Sequence, residues 1–158
     1  MKFLLTLFFF SAFNFLLAQD ISVEKLTGSE LEKIISSRDG KILLINIWAT
    51  WCIPCREEFP DLVKLRNETD EKEIDIIGIS ADYPDEIESK IIPFLREQKV
   101  NFKNYVNAFD DPNELIDFLN PDWNGALPAT FIFDEAGNQK VFLEGKQSYE
   151  ELIEALNF

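Results

Sequence analysis

The distribution of apolar residues along the chain predicts two strands at the centre of a sheet. Residues 41–49 (KILLINIWA) and 73–81 (EIDIIGISA) are near-continuous apolar runs of strand length. Such runs are typical of parallel strands that are buried on both faces. Weaker strand signals lie at residues 20–25, before the first run, and at residues 101–107, after the second.

Segments with helical spacing of apolar residues separate these strands. The spacing predicts helices over residues 52–66 and 87–100, and a shorter one over residues 112–120. Further on, residues 129–134 and 139–145 flank the turn EAGN and predict a hairpin. Alternating strands and helices followed by a hairpin and a final helix predict an α/β fold with a mixed central sheet flanked by helices.

Two pairs of polar residues mark the starts of helices. Ser29 with Glu32, and Ser148 with Glu151, have the spacing of a capping box. In that motif the two side chains bond each other's backbone N–H groups at the first turn. We therefore expect one helix to begin near residue 29 and the last helix near residue 148.

The first 18 residues differ in composition from the rest of the chain. Lys2 is followed by a mostly apolar stretch that ends at the small residue Ala18. This layout predicts a secretory signal peptide over residues 1–18, and a single domain over residues 19–158. Leu16 is larger than the cleavage pattern prefers, so a retained membrane anchor is the alternative. Either way, we expect a protein of the periplasm or cell envelope.

Charge and composition exclude several classes of function. The chain has 15 Lys and Arg against 29 Asp and Glu, a formal net charge of −14, and it has no histidine. An acidic field repels nucleic acid, and the lack of histidine excludes Ser-His-Asp chemistry and most zinc sites. We predict no metal, no cofactor and no nucleic-acid partner. Acidic residues after the second strand lack the spacing of a calcium loop and are interpreted as solvated surface: Asp82, Asp85, Glu86 and Glu88.

Cys52 and Cys55 are the only cysteines of the chain. A disulfide that closes so short a loop restricts the unfolded chain little, so it would add little stability. Two cysteines without histidine cannot complete a tetrahedral zinc site. Thiol-disulfide exchange with another molecule is the chemistry that remains.

The position of the pair supports this chemistry. Cys52 follows a buried strand and begins a helix, where unpaired N–H groups and the helix dipole favour a thiolate. Cys55 lies one turn deeper, shielded from solvent and placed to resolve a mixed disulfide formed on Cys52. Pro54 stiffens the turn without loss of a helical hydrogen bond.

Residues 48–55 (WATWCIPC) resemble the active-site motif of the thioredoxin superfamily and, more narrowly, of TlpA/ResA-type exported thiol-disulfide reductases. Pro60 stands where the active-site helix of that family carries a kinking proline, and residues 125–138 (GALPATFIFDEAGN) resemble its cis-proline segment. The resemblance covers roughly residues 24–158. It implies a thioredoxin-like fold with an inserted helix before the cis-proline segment.

The resemblance also implies a substrate-binding surface. Pro128 matches the cis-proline, and the backbone before it, at Leu127, would pair with an extended substrate peptide. Core filling is the alternative role for Leu127. Of the tryptophans, Trp48 is expected in the core, whereas Trp123 either lines the site or covers a core edge. The predicted substrate-binding residues are Trp51, Pro54, Leu127 and Pro128.

Glu58 is the third predicted catalytic residue, beside Cys52 and Cys55. Thioredoxins have a buried aspartate in the strand before the motif, but this chain has Asn46, which cannot accept a proton. Glu58 matches a glutamate that ResA-type proteins carry three residues after the second cysteine. Such a carboxylate would raise the thiol pKa values and shuttle a proton. The alternative is a surface residue that complements the helix dipole.

Together these residues predict an exported thiol-disulfide oxidoreductase that reduces cell-envelope proteins. The resemblance implies apocytochrome c as a substrate and a membrane-embedded thiol donor as the source of electrons. A disulfide-forming oxidant and a non-catalytic binding module are alternatives on the same fold. A thiol peroxidase is disfavoured, because Thr50 stands two residues before Cys52 rather than three and the chain has no third cysteine.

Overall fold

A mixed sheet organises the computed structural model, which describes residues 21–111 and 113–158. The predicted signal peptide, residues 1–18, lies outside the described residues. Within them, six strands lie in the order β1-β4-β3-β2-β5-β6. β1 to β4 pair in parallel, and β5 and β6 pair antiparallel with their neighbours. The strands are β1 Val23–Leu26, β2 Ile42–Trp48, β3 Ile74–Ser80, β4 Lys103–Asn107, β5 Ala129–Phe133 and β6 Gln139–Glu144.

The helices cover both faces of this sheet. Buried residues of α2, α3 and α5 pack on the face that carries Trp48 and Leu44, and those of α1 and α4 pack on the face that carries Ile45. The helices are α1 Gly28–Ser36, α2 Ile53–Glu68, α3 Ile92–Glu97, α4 Glu114–Leu119 and α5 Tyr149–Ala155. The predicted α/β class and mixed sheet are confirmed.

The predicted helix at residues 87–100 begins and ends three residues earlier than expected. A 3₁₀ turn, Pro84–Glu86, and a π-helical turn, Ile87–Ile91, lead directly into α3. This helical segment lies between β3 and the proline segment and is consistent with the predicted inserted helix. β4 follows it and lies between β3 and β1, where it extends the parallel part of the sheet.

One of the two predicted capping boxes is misplaced. α1 begins at Gly28 rather than after Ser29, and Thr27 is its N-cap. The backbone N–H of Thr27 donates to Glu30 Oε2 at 2.8 Å, so the box uses a pair two residues earlier than predicted. The box at Ser148 and Glu151 is confirmed at the start of α5. Capping spacings recur by chance in polar segments, which explains the first error.

Three aromatic side chains fix α2 and the inserted helix over the end of β2. Trp48, Phe59 and Phe94 are packed with ring centroids 4.7 to 5.1 Å apart. Trp48 is fully buried, as predicted, and its indole Nε1–H donates to Asn104 Oδ1 at 3.2 Å. Because Phe59 belongs to the first half of α2, this cluster holds the start of that helix against the sheet.

Gly78 provides the space for the hydrogen bond between Trp48 and Asn104. A Cβ atom at position 78 would lie 2.1 Å from Asn104 Oδ1 and 2.9 Å from Trp48 Nε1. We expect Gly78→Ala to lower the free energy of unfolding by about 2–4 kcal/mol, since it overpacks the core and displaces a buried hydrogen bond. Urea denaturation measures this loss.

Gly40→Ala is the matched control for this substitution. Gly40 has a φ of 79° and no neighbouring atom within 4 Å of the added Cβ. Its replacement should therefore cost only about 1–2 kcal/mol of left-handed backbone strain. Equal losses in the two variants would contradict a steric role for Gly78.

Candidate active site

Cys52 and Cys55 lie at the start of α2 and are joined by a disulfide. Cys52 is the N-cap residue, and its Sγ accepts a hydrogen bond from the backbone N–H of Cys55 at 3.2 Å. Cys55 is fully buried, and Cys52 is 6% exposed. The predicted order, with Cys52 nearer to solvent, is therefore present, but in the disulfide form Cys52 is less exposed than expected.

The surface next to the cysteines is apolar. Trp51 is 65% exposed and Ile53 is 69% exposed, and Pro54 is also exposed. Tyr83, in the loop after β3, is 71% exposed. Because parallel strands end at the same edge of a sheet, the loops after β2 and β3 both lie at the edge where α2 begins.

The peptide bond between Leu127 and Pro128 is cis, as predicted. Leu127 is half-buried and packs against the cluster that contains both cysteines. Trp123 is buried against Phe131, and its Nε1–H donates to Ala126 O at 2.9 Å. Trp123 therefore belongs to the core and anchors the loop that leads to Pro128, rather than lining the site.

Glu58, one turn after Cys55 on α2, is fully buried, so the alternative of a surface residue is wrong. Its Oε1 accepts a hydrogen bond from the backbone N–H of Gln147 at 2.8 Å, and its Oε2 accepts one from Asn46 Nδ2 at 2.9 Å. Burial raises the pKa of Glu58 from 4.5 to about 7, although these two hydrogen bonds favour the ionised form. Asp61 raises this pKa further, and Lys146 lowers it.

Asp82 has a role that the sequence interpretation missed. It was expected on the solvated surface, but it is only 3% exposed. Its carboxylate accepts hydrogen bonds from Thr50 N at 2.8 Å, from Thr50 Oγ1 at 2.6 Å and from Ser80 Oγ at 2.6 Å. It thus ties the loop before Cys52 to the end of β3. It lies two residues after the end of β3, in the same acidic segment as the exposed Asp85 and Glu88, so its local sequence gives no signal that separates it from them.

Other parts of the molecule lie apart from this site. A cavity of about 530 Å³ is lined by residues that include Arg38, Arg66 and Tyr105, but by none of the predicted site residues. Across residues 21–111 and 113–158, no group of three or more potential metal ligands comes together. Over the same ranges, no helix has the length and apolar character needed to cross a membrane.

The sheet, the cysteine pair at the start of α2 and the cis-proline define a thioredoxin-like protein. The chain belongs to the AhpC/TSA family, whose model matches residues 17–141. The predicted relationship to the TlpA/ResA-type branch of the thioredoxin superfamily is confirmed by its relatives.

Two relatives and one solved structure illustrate this similarity. The chain is 38% identical to the thiol:disulfide interchange protein HelX of Rhodobacter capsulatus over 102 residues, which cover 63% of this chain and 50% of the relative. It is 30% identical to the thiol-disulfide oxidoreductase ResA of Bacillus cereus over 135 residues, which cover 85% of this chain and 72% of the relative. A thiol:disulfide interchange protein of the thioredoxin family from Chlorobium tepidum has a similar fold, with a TM-score of 0.63, 24% identity and coverage of 76% and 80% of the two chains.

The matched region therefore spans about half the length of HelX but most of ResA. The names of these relatives, together with the C-x-x-C pair, support a thiol-disulfide exchange reaction. The inserted helical segment and the cis-proline agree with the same class of protein.

The burial of Glu58 predicts a pH dependence of stability. The folded pKa of about 7 lies above the ordinary value of 4.5, so the folded chain binds more protons between these pH values than the unfolded chain does. Stability contributed by the neutral carboxyl is present below about pH 4.5 and is lost as the pH rises through 7. We expect the free energy of unfolding of the disulfide form to fall by about 3 kcal/mol relative to Glu58→Gln between pH 4.5 and pH 8.

Denaturant titrations of both proteins across this pH range test the prediction. Glu71→Gln is the control for the loss of one charge, because the Glu71 side chain is 82% exposed near the other end of α2. If the wild type and Glu58→Gln show parallel pH profiles, Glu58 does not titrate as its burial indicates.

Proposed function

We propose that this chain is an exported thiol-disulfide oxidoreductase that works in the reducing direction. One observation carries the proposal: a C-x-x-C pair at the start of α2 is followed, one helical turn later, by a buried carboxylate whose pKa is near neutrality. A pair that served only to stabilise the fold would need no such group. Exchange needs a proton acceptor because its resolving thiol must lose a proton.

In the first step Cys52 attacks a disulfide of the substrate. The N-cap position stabilises the thiolate of reduced Cys52 through the free N–H groups and dipole of α2. Its sulfur forms a bond to one substrate sulfur, and the substrate disulfide breaks, releasing the other sulfur as a thiolate. The product is a mixed disulfide between Cys52 and the substrate.

In the second step Cys55 resolves this intermediate. Glu58 accepts the proton of the Cys55 thiol, and the resulting thiolate attacks Cys52 Sγ and expels the second substrate thiolate. Two electrons have then passed from the dithiol to the substrate, and Cys52 and Cys55 form a disulfide. A membrane-embedded thiol donor reduces this disulfide again in the reverse sequence of exchanges.

The substrate is a cell-envelope protein that presents its disulfide on an extended segment. The backbone at Leu127, before Pro128, pairs with that segment in the manner of an added strand, and Trp51 and Pro54 supply apolar contacts. Apocytochrome c, which carries an oxidised C-x-x-C-H haem site, meets this description. The mature domain spans residues 19–158, acts in the periplasm or cell envelope after export by the signal peptide, and needs no cofactor.

A disulfide-forming oxidant is the second candidate function. The same two steps run in reverse when the disulfide between Cys52 and Cys55 is less stable than the disulfide that forms in the substrate. The disulfide between Cys52 and Cys55 is compatible with either direction, so the direction depends on the reduction potential.

Substitution of the resolving cysteine tests whether exchange is the function. We expect Cys55→Ser to accumulate a mixed disulfide on Cys52 with a peptide in which one cysteine of C-x-x-C-H is serine and the other is disulfide-bonded to thionitrobenzoate, because neither the variant nor the peptide then has a second thiol that expels the peptide. Mass spectrometry of the intact adduct measures the yield. Cys52→Ser is the matched control and should form far less adduct, since Cys55 is fully buried. An absence of adduct in both variants would favour a binding module.

The reduction potential of the pair tests the direction. Equilibration of the protein with dithiothreitol or glutathione buffers should give a value near or below about −250 mV, close to that of thioredoxin. A value nearer to about −120 mV would identify an oxidant and would overturn the reductase assignment.

A further inference from the structure

Asn46 lies at the centre of the buried network around Glu58. It is 1% exposed, in the middle of β2, and faces α2. Its Nδ2 donates to Glu58 Oε2 at 2.9 Å and to Thr130 Oγ1, on the neighbouring strand β5, at 3.1 Å. Its Oδ1 is buried and accepts no hydrogen bond from the residues that the structure describes. One amide group thus combines two donated bonds with an unused acceptor.

This arrangement favours the ionised form of Glu58. An ionised carboxylate is an acceptor at both oxygens, and here both oxygens face donors. When Glu58 binds a proton, a proton on Oε1 would weaken the hydrogen bond that this oxygen accepts from the backbone N–H of Gln147, so Oε2 is the favoured site. A proton on Oε2 would face Asn46 Nδ2, which is also a donor. The network as it stands would therefore oppose protonation.

A half-turn of the Asn46 amide removes this conflict. It exchanges Nδ2 and Oδ1, so Oδ1 would accept a hydrogen bond from protonated Glu58 Oε2. The hydroxyl of Thr130, which is both donor and acceptor, would then donate to the same oxygen. The position that Oδ1 now occupies holds Oδ1 in one orientation and Nδ2 in the other. The atom at that position therefore carries a desolvation cost in both orientations.

We propose that Asn46 is a positioning residue for the proton transfer, with an amide that turns to present Nδ2 to ionised Glu58 and Oδ1 to protonated Glu58. This inference rests on the proposed function only for its catalytic consequence. The reorientation itself follows from the hydrogen bonds around Glu58. When the amide reorients, the hydroxyl of Thr130 changes from a hydrogen-bond acceptor to a donor.

Other residue types at this position would favour one state of Glu58. A leucine would leave Oε2 without a donor and would favour the protonated form. An aspartate would bring a second carboxyl group to hydrogen-bonding distance, and the two groups would share one proton. An asparagine can support both states, which a group that accepts and returns a proton requires.

Charged groups on the elements around Glu58 also act on its pKa. Asp61, on α2, raises the pKa of Glu58, whereas Lys146, before α5, lowers it. Lys146 is paired with the exposed Glu57 at 3.0 Å. β2 and β5 contribute the uncharged Asn46 and Thr130. The raised pKa of Glu58 means that both protonation states, and so both amide orientations, are populated near neutral pH.

Nuclear magnetic resonance of the unmodified disulfide form tests the reorientation directly. The side-chain amide of Asn46 and the carboxyl carbon of Glu58 are followed from pH 5 to pH 9. We expect both to titrate with one midpoint, and the Nδ2 protons to show a contact with Thr130 only at high pH. In Glu58→Gln, the amide should keep the low-pH orientation throughout. An Asn46 amide that keeps one orientation while Glu58 titrates would overturn the proposal.

A kinetic comparison tests the catalytic consequence. We expect Asn46→Asp to shift the pH profile of peptide reduction upward by one unit or more, which is a tenfold change in the ionised fraction at fixed pH. Asn104→Asp is the matched control, because Asn104 is equally buried but bonds Trp48 instead of Glu58. An unshifted Asn46→Asp profile, or an equal shift in both variants, would contradict the proposal. If the wild type does not reduce the peptide but its Asn46 amide still reorients with pH, the proposed function is contradicted and the reorientation is not.

Discussion

A carboxylate kept away from water one helical turn after the cysteine pair is the constraint on which the rest of the site depends. Burial of Glu58 disfavours its charged form, and the fold offsets this cost with hydrogen bonds from β2 and from the segment before α5. Residues 46, 58 and 147 are far apart in the chain, so the site exists only when the sheet, α2 and the final segment are assembled. The same burial that opposes stability at neutral pH creates a proton acceptor with a pKa near 7.

Sheet geometry determines where this carboxylate meets the cysteines. β2 ends at Trp48, and the chain turns into α2 within a few residues, so Cys52 lies at a helix N-terminus above the strand end. Two separate contacts hold that turn: the packing of Trp48 against Phe59, and the hydrogen bonds from Thr50 to the buried carboxylate of Asp82. The position of Cys52 is therefore imposed by core packing on one side and by β3 on the other.

The parts of this arrangement that local sequence determines were predictable. The order of strands and helices, the cysteine pair and the proline before β5 follow from periodicity, spacing and resemblance. The environments of Glu58 and Asp82 could not be predicted in the same way. Glu57 and Glu58 are adjacent acidic residues on α2, yet the Glu57 side chain is 57% exposed and Glu58 is fully buried. Only contacts with residues distant in sequence distinguish them, and local patterns carry no information about such contacts.

The replacement of a strand carboxylate by Asn46 changes what the strand can do. Cys55 is fully buried in the disulfide form, so the proposed mechanism assigns its proton to an internal acceptor and not to solvent. With the carboxylate on α2 rather than on β2, the strand position is free to carry a neutral group with both a donor and an acceptor. A second carboxylate there would compete with Glu58 for the proton, and an apolar side chain would leave an oxygen of Glu58 unpaired. In the proposed mechanism, Asn46 is thus a partner that allows the proton acceptor to lie on the same helix as the thiol assigned to lose its proton.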